Sequence, residues 1–236
     1  MNADSPLFAP IDSLTDALLK TNACAFLPKL YGIWKTTSAI DFAKLPQSFV
    51  LKTNHDCGGV VIVPNKDAFL ADKKVFNAAM TKLAEHLKKN YYKLSKEWHY
   101  NGIEPRVFAE EFLTSENEEN KGLDDYRFHC FGNRIAFIQV ANFTHTRNDL
   151  FDEKWQKLPV RYLNPNRETE IKKPSNLVFM CQIATALSSA ISYVRVDLFV
   201  VNSRTFVGEM TFTPNGGTAK FEPSEYDKIF GDFWKI

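Results

Sequence analysis

Residues Tyr193–Gly217, YVRVDLFVVNSRTFVGEMTFTPNGG, decide the fold. Val194, Val196, Leu198 and Val200 alternate with Tyr193, Arg195, Asp197 and Phe199, the period of a strand with two unlike faces. Asn202 and Ser203 bring turn chemistry, and Thr205, Phe206 and Val207 open a returning strand. Loop parity then sets what faces what. With Asn202, Ser203 and Arg204 as a three-residue loop, Asp197 lies opposite Glu209 and Arg195 opposite Thr211. A two-residue loop would put the two carboxylates on opposite faces, and the three-residue reading is the one adopted. Opposed carboxylates repel each other on a sheet. A divalent cation held by oxygen ligands turns that repulsion into a site. An isolated Asp and Glu would otherwise read as a solvated hairpin; Arg195 on the same face and the TPNGG turn directly afterwards argue for the site.

The 236-residue chain is long enough for one sizeable domain or for two lobes. Its hydrophobic share of 44% and charged share of 24% are those of a globular protein, and no apolar run reaches the length of a membrane span. A formal charge of +1 provides no electrostatic reason to expect nucleic acid or an anionic membrane as partner. Cys24, Cys57, Cys130 and Cys181 are widely spaced and read as free thiols of a reducing compartment. The opening MNADSPLFAPIDS lacks the basic and apolar regions of a signal peptide, so a cytoplasmic location is expected.

Ser48–Val63, SFVLKTNHDCGGVVIV, reads as strand, flexible loop, strand. Backbone N–H groups around Gly58 and Gly59 approach a phosphate without obstruction, and Lys52 at the strand end adds a point charge. The Walker spacing is absent, and taken alone the segment also fits an ordinary hairpin. Ile11–Leu19 is expected to form a short helix, and Asp67–Tyr92 a longer one with its lysines on a solvated face. Trp98, His99 and Tyr100 fall in a loop. Arg106–Leu113 reads as a strand whose Glu110 and Glu111 point to opposite faces and are no acid–base couple. After an acidic loop over 115–125 comes a strand placing Asp125, Arg127 and His129 on one face. There a D-x-R pair offers an acceptor for ribose hydroxyls and a planar donor for phosphate oxygens, or forms a simple surface ion pair. Residues 142–173 show few clear periods; Arg147 and Trp155 are its candidates for an acceptor pocket. Asn176–Ala190 is expected to be a helix with an apolar stripe, and a short helix closes the chain.

The stretches VRVDLFVVNSRTFVGEMTFTPNGG, FVLKTNHDCGG, WHYNGIEPRVFAEEFL and LDDYRFHCFGNRIAFIQV resemble the TupA-like family of ATP-grasp ligases, from about Leu30 to the C-terminus. The resemblance implies an α+β ATP-grasp fold, with two lobes of antiparallel sheet and flanking helices enclosing a nucleotide cleft. It divides the chain into an N-terminal segment 1–45, a small lobe 46–112 and a large lobe 113–236. It further implies ATP and Mg2+ as cofactors, with the metal on Asp197 and Glu209 and at Thr211, where the family pattern has an Asn. Lys52, Gly58, Gly59, Asp125 and Arg127 would bind the nucleotide, as would the main chain of Glu111 and Leu113 around Phe112. Lys52, Arg127 and Arg195 would act in catalysis. The implied reaction joins a carboxylate to an amine through an acylphosphate, with a uronic acid of a surface polysaccharide as the leading acceptor. A sugar-hydroxyl kinase and a degenerate nucleotide-binding scaffold are the alternatives.

Overall fold

The computed structural model describes residues 26–114 and 122–234. The expected Ile11–Leu19 helix, Cys24 and residues 115–121 of the acidic loop lie outside the described residues. The chain divides into two compact units, 1–113 and 114–236.

In the first unit, β1 (Leu30–Trp34), β2 (Phe49–Thr53), β3 (Val60–Val63) and β4 (Val107–Glu111) form an antiparallel sheet in the order β1-β4-β2-β3. Residues 30–34, which the sequence reading left in a separate N-terminal segment, thus belong to this sheet through the pairing of β1 with β4. Phe49, Leu51, Val63, Val107 and Ala109 turn inward onto Phe69 and Leu83. The expected long helix is instead three: α1 (Lys66–Ala71), α2 (Lys73–Leu87) and α3 (Tyr91–Ser95). Capping chemistry makes the breaks. Asp72 Oδ1 accepts the N–H groups of Lys74 and Val75, each at 3.0 Å, and Asn90 Oδ1 accepts that of Lys93. A carboxylate or amide oxygen that satisfies orphan N–H donors starts a helix more favourably than it sits inside one.

The second unit is built on β5 (Asp125–Phe131), β6 (Arg134–Ala141), β7 (Asn148–Phe151), β9 (Val194–Val201) and β10 (Arg204–Thr211), ordered β10-β9-β5-β6-β7. A two-stranded sheet pairs β8 (Arg161–Tyr162) with β11 (Phe221–Glu222). Helix α4 (Leu177–Ser188) packs on the five-stranded sheet, and α5 (Glu225–Gly231) follows β11. The alternation read in the sequence sorts the two faces. Phe128, Cys130, Val194, Val196 and Leu198 are buried on the face that meets α4, where the Cys130 thiol bonds Ser188 and burial pushes it up to about 12. Asp125, Arg127, His129, Arg195 and Asp197 take the other face. Phe137, Tyr162, Phe221 and Phe230 form an aromatic cluster, with Phe137 and Phe230 centroids 4.3 Å apart. Strands β7, β8 and β11 were not anticipated. Among the described residues the cysteines are free thiols, and no helix is long and apolar enough to cross a membrane.

Candidate active site

The opening hairpin corrects the loop reading and keeps its consequence. Strands β9 and β10 are joined by two residues, Asn202 and Ser203, at φ 47° and 64°. Both sit in the left-handed region, as the tight hairpin turn that matches strand twist requires. A two-residue loop alone would separate the carboxylates. The register, however, shifts between Val207 and Glu209, so that Val207 faces Leu198 and Glu209 faces Asp197. Gly208 is the additional residue of a β-bulge, and a Cβ there would overlap ring carbons of Phe199. Asp197 therefore faces Glu209, and Arg195 faces Thr211.

Register then extends both pairs across the sheet. One row runs Gln139, Arg127, Asp197, Glu209; the next runs Phe137, His129, Arg195, Thr211. Asp197 is 3% exposed and Arg195 9%, whereas Glu209 sits exposed on the edge strand. Arg195 Nε donates to Asp197 Oδ1 at 2.7 Å, and its Nη2 donates to Asp197 Oδ2 at 2.6 Å and to Thr211 Oγ1 at 3.0 Å. Arg127 Nε donates to Asp125 Oδ2 at 2.8 Å and lies 3.9 Å from Asp197 Oδ2. The D-x-R pair is thus a largely buried ion pair that borders the acidic row.

Charge is unbalanced in this patch. Burial raises the Asp197 pKa above the ordinary carboxylate value; Arg195 pulls it down, while Asp125 and Glu209 push it up. Burial works against the Arg195 charge too, but Asp197, then Glu209 and Asp125, hold its pKa above the ordinary value. Asp125 Oδ1 is buried with no hydrogen-bond partner. Such an orphaned oxygen, on the same face as Asp197, is open to a cation or a hydroxyl donor. Among the described residues no three His, Cys, Asp or Glu side chains form a metal cage of their own. Mg2+ needs no such cage, since it takes one or two carboxylates and completes its shell with water and phosphate oxygens. The donor set fits that ion.

Sequence reading missed several neighbours. His145, at φ 54°, lies 3.7 Å from Asp125 and 3.3 Å from Arg127 Nη2; burial, then Arg127, lowers its pKa. Asn142 shapes its loop, with Oδ1 accepting the N–H groups of Thr146 and Arg147 at 2.9 Å. Thr and Asn around a lone His were the available signal. His129, which the sequence reading had placed on this face, is 2% exposed, stacks on Phe137 at 4.0 Å and contacts Tyr193 Oη at 2.9 Å. Arg147 and Trp155, the acceptor candidates, each have partners within the second unit. Arg147 pairs with Glu168 at 2.8 Å, and Trp155 stacks on Phe151 at 4.3 Å and donates to the Ile171 carbonyl.

The first unit holds the remaining candidates. Lys52 forms an ion pair with Glu110 across β2 and β4. Glu111 has its N–H donated to the Lys29 carbonyl at 2.9 Å, so that main-chain donor is already engaged. Gly58 is exposed in the loop that precedes β3. Gly59 is buried, and a Cβ there would overlap the Thr53 hydroxyl. Lys82, expected on a solvated face, donates to the Val60 carbonyl at 2.8 Å.

The family described as TupA-like ATPgrasp matches residues 23–235. No curated protein matches the chain. Among solved structures it is similar to D-alanine–D-alanine ligase from Bacillus anthracis complexed with ATP, at 15% identity and a TM-score of 0.48 over 94% of this chain and 61% of that one. It is also similar to a RimK domain ATP-grasp protein from Sphaerobacter thermophilus DSM 20745, at 15% identity and a TM-score of 0.48, covering 97% of this chain and 67% of that one. The chain thus spans about three-fifths of the length of the B. anthracis ligase. With a family match over nearly all of its residues, and with antiparallel sheets and a few flanking helices, this α+β chain belongs to the TupA-like ATP-grasp family.

Proposed function

We propose that the chain is an ATP-dependent carboxylate–amine ligase: it activates a carboxylate as an acylphosphate and passes the acyl group to an amine, yielding an amide, ADP and phosphate. The observation that carries this reading is the cross-strand row Arg127–Asp197–Glu209, buried at Asp197 and open at Glu209, with the orphaned Asp125 oxygen on the same face. Asp197 and Glu209 would hold Mg2+, with the Thr211 hydroxyl one row away; when bound, the ion neutralises charge on the terminal phosphates.

The chain's own residues supply the rest. Arg127 and Arg195 are planar donors fixed by Asp125 and Asp197, so they meet phosphate oxygens and a developing oxyanion already oriented. Asp125 would also accept a ribose hydroxyl. In the first unit Lys52 supplies a point charge, and the backbone of Gly58 and Gly59 supplies N–H groups to phosphate. Family association favours a uronic acid of a surface glycan as the acceptor carboxylate, with an amino acid or other amine as the nucleophile.

Glu209 is the cleanest test, because it is exposed and has no ion pair among the described residues. Calorimetry should show Mg2+-dependent ATP binding to the wild type. Glu209→Gln should lose that Mg2+ dependence and keep its melting temperature. Mg2+-dependent binding unchanged in Glu209→Gln would remove the metal role. Product analysis then separates chemistries: an amide supports the ligase, a phosphate ester makes the protein a kinase, and ATP binding without turnover makes it a scaffold.

A further inference from the structure

The loop between β2 and β3 is held by its own side chains. Asn54 reaches back to the start of β4, accepting the Arg106 N–H at 2.7 Å and donating to the Glu104 carbonyl at 3.1 Å. His55 is 3% exposed and its Nε2 lies 3.1 Å from the His86 carbonyl at the C-terminal end of α2, which also accepts the Lys89 N–H at 3.0 Å. The Asp56 carboxylate is wholly buried and accepts from the Thr53 hydroxyl and from His86 Nδ1. Lys89 Nζ lies 3.0 Å from His86 Nε2. An ammonium only donates, so Nε2 is the acceptor there and Nδ1 carries the hydrogen given to Asp56. His55 and Asp56 thereby grip the same residue of α2, one by its carbonyl and one by its ring. Cys57 and Gly58 alone are left exposed at the tip.

From this geometry we infer that Asp56 and His86 are positioning residues: they fix the backbone of the glycine loop to the end of α2, so that its tip is presented in one conformation. The inference rests on the reading of this loop as a phosphate binder. Neither residue touches the nucleotide in that reading; both act through the loop. A buried charge-assisted hydrogen bond of this kind is strong, and removing the His86 donor leaves Asp56 with only the Thr53 hydroxyl and weakens the hold of the helix on the loop.

Hydrogen exchange of the amides of residues 54–60 reads the latch without nucleotide, and MgATP titration reads its use. His86→Leu removes the donor; His86→Asn restores an N–H near the position of Nδ1. In His86→Leu, exchange over 54–60 should rise about tenfold or more while β5 and β9 stay protected, since only a local opening is affected. The KM for MgATP should rise about tenfold with kcat changed far less, the pattern of lost preorganisation rather than lost chemistry. His86→Asn should recover most of both. Unchanged loop exchange in His86→Leu would overturn the latch. If the latch loosens but MgATP gives residues 57–59 of the wild type no protection, the phosphate-loop reading is what fails, and the positioning role falls with it.

Discussion

The two hairpins of this protein solve opposite problems. Between β2 and β3 the functional candidates sit in the loop, and side chains from the loop tie it to α2 and β4. Between β9 and β10 the loop is only Asn202 and Ser203, and the candidates lie in the strands. A backbone that must offer N–H groups to phosphate has to leave the sheet ladder, and therefore needs other anchors. Carboxylates that must stay close despite repulsion need the stiffness of a ladder, with register fixing their spacing. One site is fixed by side-chain grips and the other by the count of residues along two strands.

Breaking the acidic pair gives the largest effect. Asp197→Asn should lower turnover about a thousandfold or more, because it removes the proposed metal ligand and releases Arg195. Unlike Glu209→Gln it should also lower stability, since Arg195 remains buried without its carboxylate partner. Equal melting temperatures for the two variants would show that the Arg195–Asp197 pair is not the stabilising contact its geometry implies.

Gly208 tests the register itself. Gly208→Ala drives a methyl into the Phe199 ring and should cost about 1–3 kcal/mol, the usual range for overpacking. Phe199→Ala in the same chain clears that space, so the double variant should regain Mg2+-dependent ATP binding that the single variant loses. Additive losses in a double-mutant cycle would separate Gly208 from Phe199. In the other hairpin, Lys52→Met should weaken MgATP binding by about tenfold, as lost charged contacts do, while Glu110→Gln frees Lys52 and should leave binding at least as tight. Weaker binding in Glu110→Gln would mean that the pair positions Lys52 instead of competing for it.

Both hairpins were legible in the sequence, but for different reasons. Alternation from Tyr193 to Val200 and from Asp125 to Phe131 placed each charged residue on its face, and the structure keeps those faces. The pairing of Asp197 with Glu209 was reached through a loop one residue too long. Gly208 supplies the missing count, and an isolated glycine inside a strand pattern was its visible sign. Caps at Asp72 and Asn90 were equally readable, yet the apolar period ran through them. Strand β7 and the residues after it carried no comparable period. Asp149 there is fully buried and bonded to Lys157 and Asn166 at 2.9 Å, a contact between distant residues that local patterning does not announce. His145 and Gln139 join the site through such distant contacts as well.

His129 tests the row behind Arg195 with the smallest expected effect. It is buried between Phe137, Tyr193 and Gln139, and desolvation first, then the charge of Arg195, lowers its pKa well below 6.5. Its ring is therefore neutral in the folded state: Nε2 faces Gln139 Oε1 at 3.4 Å and Nδ1 takes the Tyr193 hydroxyl hydrogen. The unfolded chain binds a proton at this residue as pH falls through about 6.5, and the folded one does not. Stability is thus fully present above that value and is lost as pH falls, by at most about 1.4 kcal/mol per pH unit. Denaturant midpoints between pH 7.5 and pH 5.5 should show that slope in the wild type and a shallower one in His129→Gln, which fills the position without titrating. Parallel slopes would mean that His129 takes up its proton in the folded state as readily as in the unfolded one, and the face carrying Arg195 would then be more open to water than its burial implies.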